Sequence, residues 1–263
     1  MSVTTEFEQL LEIMRRLRGP DGCPWDRAQT QMSIRHCLVE EAGEFLDALE
    51  DGDDEGMCEE LGDLFLQVVF QACLTAEDGR FTLEDVLRNL NQKLVSRHEH
   101  VFGQERAADA ADARRRWDAR KALEAAKQSR KSSMDAVPRH LPALSRAQKA
   151  ATKAVRAGLG EPEDEQALAR FDHACTEFRK SWQDGETQVL GENTGTLLFA
   201  LVELCRRRQL EAEECLQAAN GGFMQRVRRI EAELQSTGRK PDDCTPDERK
   251  RLWDMAKDDG IVV

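Results

Sequence analysis

Twelve Asp or Glu residues fall between Glu40 and Asp63, with no Lys or Arg among them. Those 24 residues carry a formal charge of -12, equal to the net charge of the whole chain, so the remaining residues balance to zero. Carboxylates at this density repel one another, and holding them compact calls for a cation. A solvated tail is the ordinary reason for such a run. A tail, however, has no use for Leu38, Val39, Phe45, Leu46, Leu49, Met57, Leu61, Leu64 and Phe65, which interleave with the acids. The segment reads as folded, and as a metal site.

Its spacing sharpens that reading. With Asp51-Gly52-Asp53-Asp54 as a turn between antiparallel helices, Glu44 and Glu60 each lie eight residues from Gly52, and Glu41 and Asp63 each lie eleven. At about 1.5 Å of rise per residue, each matched pair stands at one height on facing helices. Within each helix the two acids are three apart and share a face. A single ExxE is ordinarily a solvated helix face; two of them placed symmetrically about one turn, with no compensating base, point to convergence. Four converging carboxylates form an all-oxygen site suited to Mg²⁺, with Mn²⁺ as a substitute. No His falls in the register for zinc. Glu40, Asp47 and Glu59 are outer acids, a water-orienting base, or surface.

The elements that must position these groups are helical. Of 263 residues, 33% are charged and 5% aromatic, with no Tyr. Ala, Leu, Glu and Arg dominate, which favours helix over sheet. Helical spacing of Phe7, Leu10, Leu11, Met14 and Leu17 stops at Gly19-Pro20. A loop, Asp21 to Asp26, leads to a helix from about Gln29 to Glu50, and a second long helix covers about Glu55 to Ala76. Thr82 with Asp85 reads as a capping box opening a fourth helix to about His98. Residues 103–134 are Ala-, Arg-, Asp- and Lys-rich, with Trp117 as their one aromatic, and read as an exposed connecting helix. Pro138 and Pro142 mark a boundary, followed by four more helical stretches at about 143–157, 164–183, 187–208 and 211–236. Equal helix counts on both sides suggest an internal repeat, and Gly62-Asp63-Leu-Phe-Leu has a counterpart in Gly195-Thr196-Leu-Leu-Phe. Residues 239–263 read as a polar tail anchored by Trp253. The expected division is 1–103, a linker 104–137, 138–238 and the tail: an all-α chain of two tandem four-helix modules.

Other classes are disfavoured. No apolar run approaches the roughly 20 residues of a membrane span, and no signal peptide is visible at the N-terminus. The eight cysteines include no CxxC pair, which fits free thiols and a cytoplasmic location. An isoelectric point near 5.1 argues against nucleic acid as the main partner.

Glu40-Glu41-x-x-Glu44 followed by Glu60-Leu-Gly-Asp63 resembles the EExxE…ExxD signature of MazG-type nucleoside triphosphate pyrophosphohydrolases. The likeness continues in Arg18-Gly-Pro-Asp-Gly-Cys-Pro-Trp-Asp26 with Gln29-Thr30, in Gly79-Arg80-Phe81, in Lys93-Leu-Val-Ser-Arg97-His98-Glu-His100-Val-Phe-Gly103, and in Pro142-Ala-Leu-Ser-Arg-Ala-Gln-Lys149. The resemblance implies an all-α fold of two four-helix modules, usually a homodimer, that hydrolyses nucleoside triphosphates to monophosphate and pyrophosphate with Mg²⁺. It implies Glu41, Glu44, Glu60 and Asp63 as metal ligands, Glu41 with Glu40 as the catalytic acids, and Lys93 and Arg97 as a phosphate grip. Point charge and bidentate fork suit that task. His98 and His100 join the grip or only fix the following loop. Trp25 stacks on a base or plugs a hydrophobic gap, and Asp26 and Gln29 hydrogen-bond sugar or base.

The chain also departs from the pattern. Asn193 and Thr196 stand in place of Glu60 and Asp63, and Thr176-Glu177-Phe-Arg-Lys180 stands where Glu-Glu-x-x-Glu is expected. In the last helix Asn220 and Arg226 remain, but the basic position between them is Gly222. The second module thus reads as a degenerate copy, leaving activity to the first. His36, Cys37 and Gly43 replace bulkier residues near the ligand helix. Two other readings stay open: a pyrophosphatase narrowed to dUTP, dCTP or a modified nucleotide, and a non-catalytic helical scaffold or nucleotide sensor.

Overall fold

The computed structural model describes residues 2–256 apart from 105, 127–131 and 161–162. Among the described residues there are helices and no strands, as the composition requires. Two compact units divide the chain, 1–128 and 129–263.

In the first unit, α1 (Val3–Arg18) is capped by Ser2, whose side chain accepts from the Thr5 amide. A short α2 (Pro24–Ala28) follows. Then come α3 (Cys37–Asp51) and α4 (Asp54–Glu77). Gly52 adopts the left-handed conformation at φ 68°, and the Asp53 carboxylate caps α4 by accepting from the Glu55 and Gly56 amides. A left-handed glycine followed at once by an N-cap makes a two-residue connector, which fixes the register of the hairpin. The expected capping box is present: Thr82 and Asp85 cap α5 (Leu83–Arg97) reciprocally. After α6 (Glu99–Phe102), α7 (Ala110–Ala126) packs on α5 rather than serving as a bare connector.

The core of this unit is small. Met14, Ile34, Val69, Phe70 and Leu74 are buried together, with Leu10, Leu11, Leu17, Leu66 and Leu83 packed against them. Arg18 fastens the corner: its guanidinium donates twice to Glu77, at 2.6 Å each, lies over the Phe70 ring, and also reaches the Asp26 carbonyl. Gly22 tucks under the end of α1, where a Cβ would meet the Leu17 carbonyl oxygen at 2.2 Å.

The helix expected from Gln29 begins instead at Cys37. Residues 29–33 fold on themselves: the Ser33 hydroxyl donates to the Gln29 side chain at 2.7 Å, and the Thr30 amide donates back to the Ser33 hydroxyl at 2.9 Å. Such local bonds compete with the helical ladder.

The second unit contains α8 (Ala143–Arg156), α9 (Asp164–Asp184), α10 (Thr187–Arg207) and α11 (Ala212–Ser236). Its buried apolar residues are mostly small: Ala151, Ala167, Ala174, Val202, Ala212, Leu234 and Cys244. Buried Gln148 ties α8 to the start of α11, donating to the Leu210 carbonyl at 3.0 Å and accepting from the Ala212 amide at 2.9 Å. The tail carries a helix of its own, α12 (Pro246–Met255). Buried Arg226 donates twice to the Trp253 carbonyl and lies 4.4 Å from the centre of its ring. Arg226 is therefore a structural clamp.

Candidate active site

The α3–α4 hairpin brings Glu41, Glu60 and Asp63 together, with one carboxylate oxygen of each within 4.8 Å of the others. All three are half-buried. Glu44 is exposed and outside that group, although its charge is felt by both Glu41 and Glu60. The expected quartet is thus a trio with a fourth carboxylate at its rim.

The electrostatics are those of an uncompensated acid cluster. Burial raises the pKa of Glu41, and the Asp63 and Glu44 charges raise it further. One bond opposes this: buried Gln67, one turn beyond Asp63 on α4, donates to Glu41 Oε1 at 3.4 Å. Glu60 is also raised, by burial first and then by Glu44 and Asp63. Its Oε2 is buried and has no hydrogen-bond partner among the described residues. Buried carboxylate oxygens ordinarily find a donor. An orphaned acceptor among like charges fits a hard divalent cation, and the donor set is all oxygen, as Mg²⁺ prefers. Gln67 was missed from the sequence; its signal was a polar residue inside the run Leu66-Gln67-Val68-Val69.

Glu40 points to different company. It groups with His36 and Cys37, whose ligand atoms and its own carboxylate oxygen lie within 4.8 Å of one another.

The substrate-side residues are divided. Lys93 is exposed on α5, with no ion pair among the described residues. Arg97 is engaged elsewhere: it donates to Glu124 of α7 at 2.5 and 3.0 Å and lies over the Trp117 ring. In this structure its fork is spent on α7. His98 bonds the Leu94 carbonyl through Nδ1 at 2.8 Å and sits beside the His100 ring, so it closes the end of α5. Trp25 is 63% exposed, so the plug alternative falls and its ring is open for stacking. Gln29 spends its side chain locally, donating to the Trp25 carbonyl at 3.0 Å and accepting from Ser33. Asp26 is half-buried.

The second unit repeats the hairpin geometry with only one of the four acids. The α9–α10 connector is again a left-handed glycine, Gly185 at φ 77°, followed by one N-cap residue. Counting from that pivot, Ala174 and Glu177 stand eleven and eight residues before it, and Asn193 and Thr196 eight and eleven after. This corrects the alignment on α9: Glu177 is the counterpart of Glu44, and Ala174, not Glu177, is that of Glu41. Asn193 donates to the Glu177 carbonyl at 3.2 Å, and Thr196 to the Glu192 carbonyl at 3.0 Å. Among the described residues of this unit no metal-ligating cluster forms.

Residues 29–102 match the model of the MazG nucleotide pyrophosphohydrolase domain, a span containing the whole acidic hairpin. The chain is 35% identical, over 95% of both chains, to the nucleoside triphosphate pyrophosphohydrolase/pyrophosphatase MazG of Thermotoga maritima. It is 36% identical to the nucleoside triphosphate pyrophosphohydrolase of Escherichia coli, over 96% of this chain and 97% of that one. The chain belongs to the MazG family. A further relative, the nucleoside triphosphate pyrophosphohydrolase of Mycobacterium tuberculosis, is 42% identical over 52% of this chain and 41% of its own. As a MazG-family protein the chain is all-α, in agreement with its helices. No helix among the described residues is long and apolar enough to cross a membrane.

Proposed function

We propose that this MazG-family chain hydrolyses nucleoside triphosphates to monophosphate and pyrophosphate in a Mg²⁺-dependent reaction carried by its first unit. The observation that carries the reading is the trio Glu41, Glu60 and Asp63, half-buried and, among the described residues, without a counter-ion and with one carboxylate oxygen left unbonded. The names of its relatives supply the substrate class.

The residues divide the work as follows. Glu41, Glu60 and Asp63 would hold Mg²⁺, with Glu44 as a rim ligand or an acceptor for its water. The ion, when bound, neutralises triphosphate charge and promotes attack by water. Gln67 orients Glu41 by donating to Oε1. Exposed Glu40 accepts the proton of the attacking water. Attack at the α-phosphorus breaks its bond to the α–β bridging oxygen, and pyrophosphate leaves. Lys93 supplies positive charge to the departing phosphates, and Trp25 a face for the base. The second unit is a degenerate copy of the first, retained for packing.

A homodimer belongs to the same reading. No residue of α3 is buried, yet Leu38, Ala42, Phe45 and Leu49 recur at helical spacing, with Leu46 half exposed and Val39 70% exposed. On α4, Leu61, Phe65 and Val68 are likewise exposed. An apolar face of this kind seeks cover, and a second copy of the same hairpin offers a self-complementary one.

The test is release of pyrophosphate, as opposed to phosphate, from a panel of canonical and modified nucleoside triphosphates with Mg²⁺ and with EDTA. Pyrophosphate that needs Mg²⁺ and disappears in Glu41→Gln supports the reaction, the metal and the unit together. Turnover surviving in Glu41→Gln would move catalysis out of this hairpin.

A further inference from the structure

His36, Cys37 and Glu40 lie at the start of α3, on a stretch the pyrophosphohydrolase reading leaves largely unused. We propose that they form a second metal site, for a thiophilic divalent cation of the Zn²⁺ class and distinct in chemistry from the carboxylate trio. Cys37 Sγ lies 3.6 Å from His36 Nε2, and His36 Nε2 lies 3.9 Å from Glu40 Oε2. All three donors fall within 4.8 Å of one another.

Those separations are close to what one tetrahedral ion demands. With Zn–S about 2.3 Å and Zn–N about 2.0–2.1 Å, tetrahedral angles put sulfur and nitrogen about 3.6 Å apart, and nitrogen and carboxylate oxygen about 3.4 Å apart. The first is met, and the second needs only a small rotation of the exposed Glu40 side chain. Local geometry explains the convergence. His36 is the residue just before the helix, Cys37 opens it, and Glu40 lies one turn on, four residues from His36. One thiolate, one imidazole and one carboxylate form a mixed soft set that favours Zn²⁺ over Mg²⁺. The thiol gives up its proton to solvent on binding. His36 and Glu40 are exposed, so the ion is reachable from solvent and its fourth position is open to water.

Binding does not depend on the reaction proposed above; only its consequence for turnover does. If Glu40 accepts the proton of the attacking water, a cation at His36 and Cys37 occupies that carboxylate and slows the enzyme.

Co²⁺ serves as the spectroscopic probe, because a thiolate–cobalt bond absorbs in the near ultraviolet. The full-length chain, saturated with Mg²⁺, is titrated with Co²⁺ and then with Zn²⁺. The expected result is one equivalent of thiolate–Co²⁺ absorbance, displaced by Zn²⁺, lost in Cys37→Ser and weakened at least tenfold in His36→Gln, but retained in Glu60→Gln. Absorbance that survives Cys37→Ser would assign the metal to another of the eight cysteines and overturn the site. So would the absence of any thiolate band, or its loss in Glu60→Gln. Zn²⁺ inhibition of Mg²⁺-dependent pyrophosphate release, relieved in His36→Gln, is the matching kinetic result. Failure of turnover in all variants would count against the reaction while leaving the absorbance to decide the site.

Discussion

The α3–α4 hairpin and the α9–α10 hairpin turn in the same way, through a left-handed glycine and a single N-cap residue, and then fill the same positions with opposite chemistry. In the matched register Glu41, Glu60 and Asp63 correspond to Ala174, Asn193 and Thr196, and only Glu44 keeps an acidic counterpart, Glu177. In the second hairpin the polar substitutes bond backbone carbonyls, and Ala174 is buried. In the first, a carboxylate oxygen is buried without a partner among the described residues. A helical hairpin can therefore be held by its turn and its packing alone. The acids of the first hairpin add repulsion to a fold that does not need them, which points to binding rather than architecture.

The comparison is broken most directly by moving charge. Glu60→Gln or Asp63→Asn in the first hairpin is expected to lower kcat by more than about 100-fold, beyond the usual loss for an outer-shell change at a metal site. Glu177→Gln in the second should leave pyrophosphate release unchanged, and equal losses in both hairpins would erase the distinction. The reverse exchange is also informative. Thr196→Asp placed in a Glu41→Gln background should restore no turnover, because the Ala174 and Asn193 positions still lack carboxylates. Recovered pyrophosphate release would show that a single acid suffices.

Acidity separates the hairpins next. Glu41 and Glu60 have pKa values raised by folding, so the folded state binds protons more tightly than the unfolded chain. Their contribution is favourable below the ordinary carboxylate pKa and is lost as pH rises through the raised values. Without divalent metal, the first unit is expected to melt higher near pH 5 than at pH 7, and Glu41→Gln should flatten that difference. An unchanged pH profile in Glu41→Gln would remove the repulsion from the account.

The smallest effect belongs to Gly43, whose counterpart nine residues before the second turn glycine is Thr176. A Cβ added at Gly43 would meet nothing within 4 Å. Gly43→Ala is expected to stabilise α3 by about 1 kcal/mol through helix propensity, measured by urea unfolding of the metal-free protein. A loss of activity without loss of stability would mean that the bare backbone at this position admits a ligand.

What the sequence disclosed followed from short-range rules. Spacing about Gly52 located the acids on facing helices, and Thr82 with Asp85 announced the start of α5, because turn glycines and caps act within a few residues. The misreadings came from longer reach or from local competition. Ser33 and Gln29 bond each other and delay the start of α3, although the pattern there looks helical. Arg97 finds Glu124 27 residues away, on a helix whose weak amphipathic pattern concealed its packing face. On α9, Thr176-Glu177-Phe-Arg-Lys180 resembled the acid motif enough to shift the alignment by three residues. Counting from Gly185 removes that error.

The two-residue connector also makes the length of this part of the chain as consequential as its composition. A single residue inserted between Gly56 and Glu60 would swing Glu60 and Asp63 by about 100° around α4 and slide them about 1.5 Å along it. Both carboxylates would leave the side facing Glu41, although every one of them would still be encoded. The non-helical stretch 106–109, outside the hairpin, can change length without altering the register of the trio. Between Gly52 and Asp63 the reading frame of the helix itself is under constraint, and an insertion there is equivalent to deleting the site.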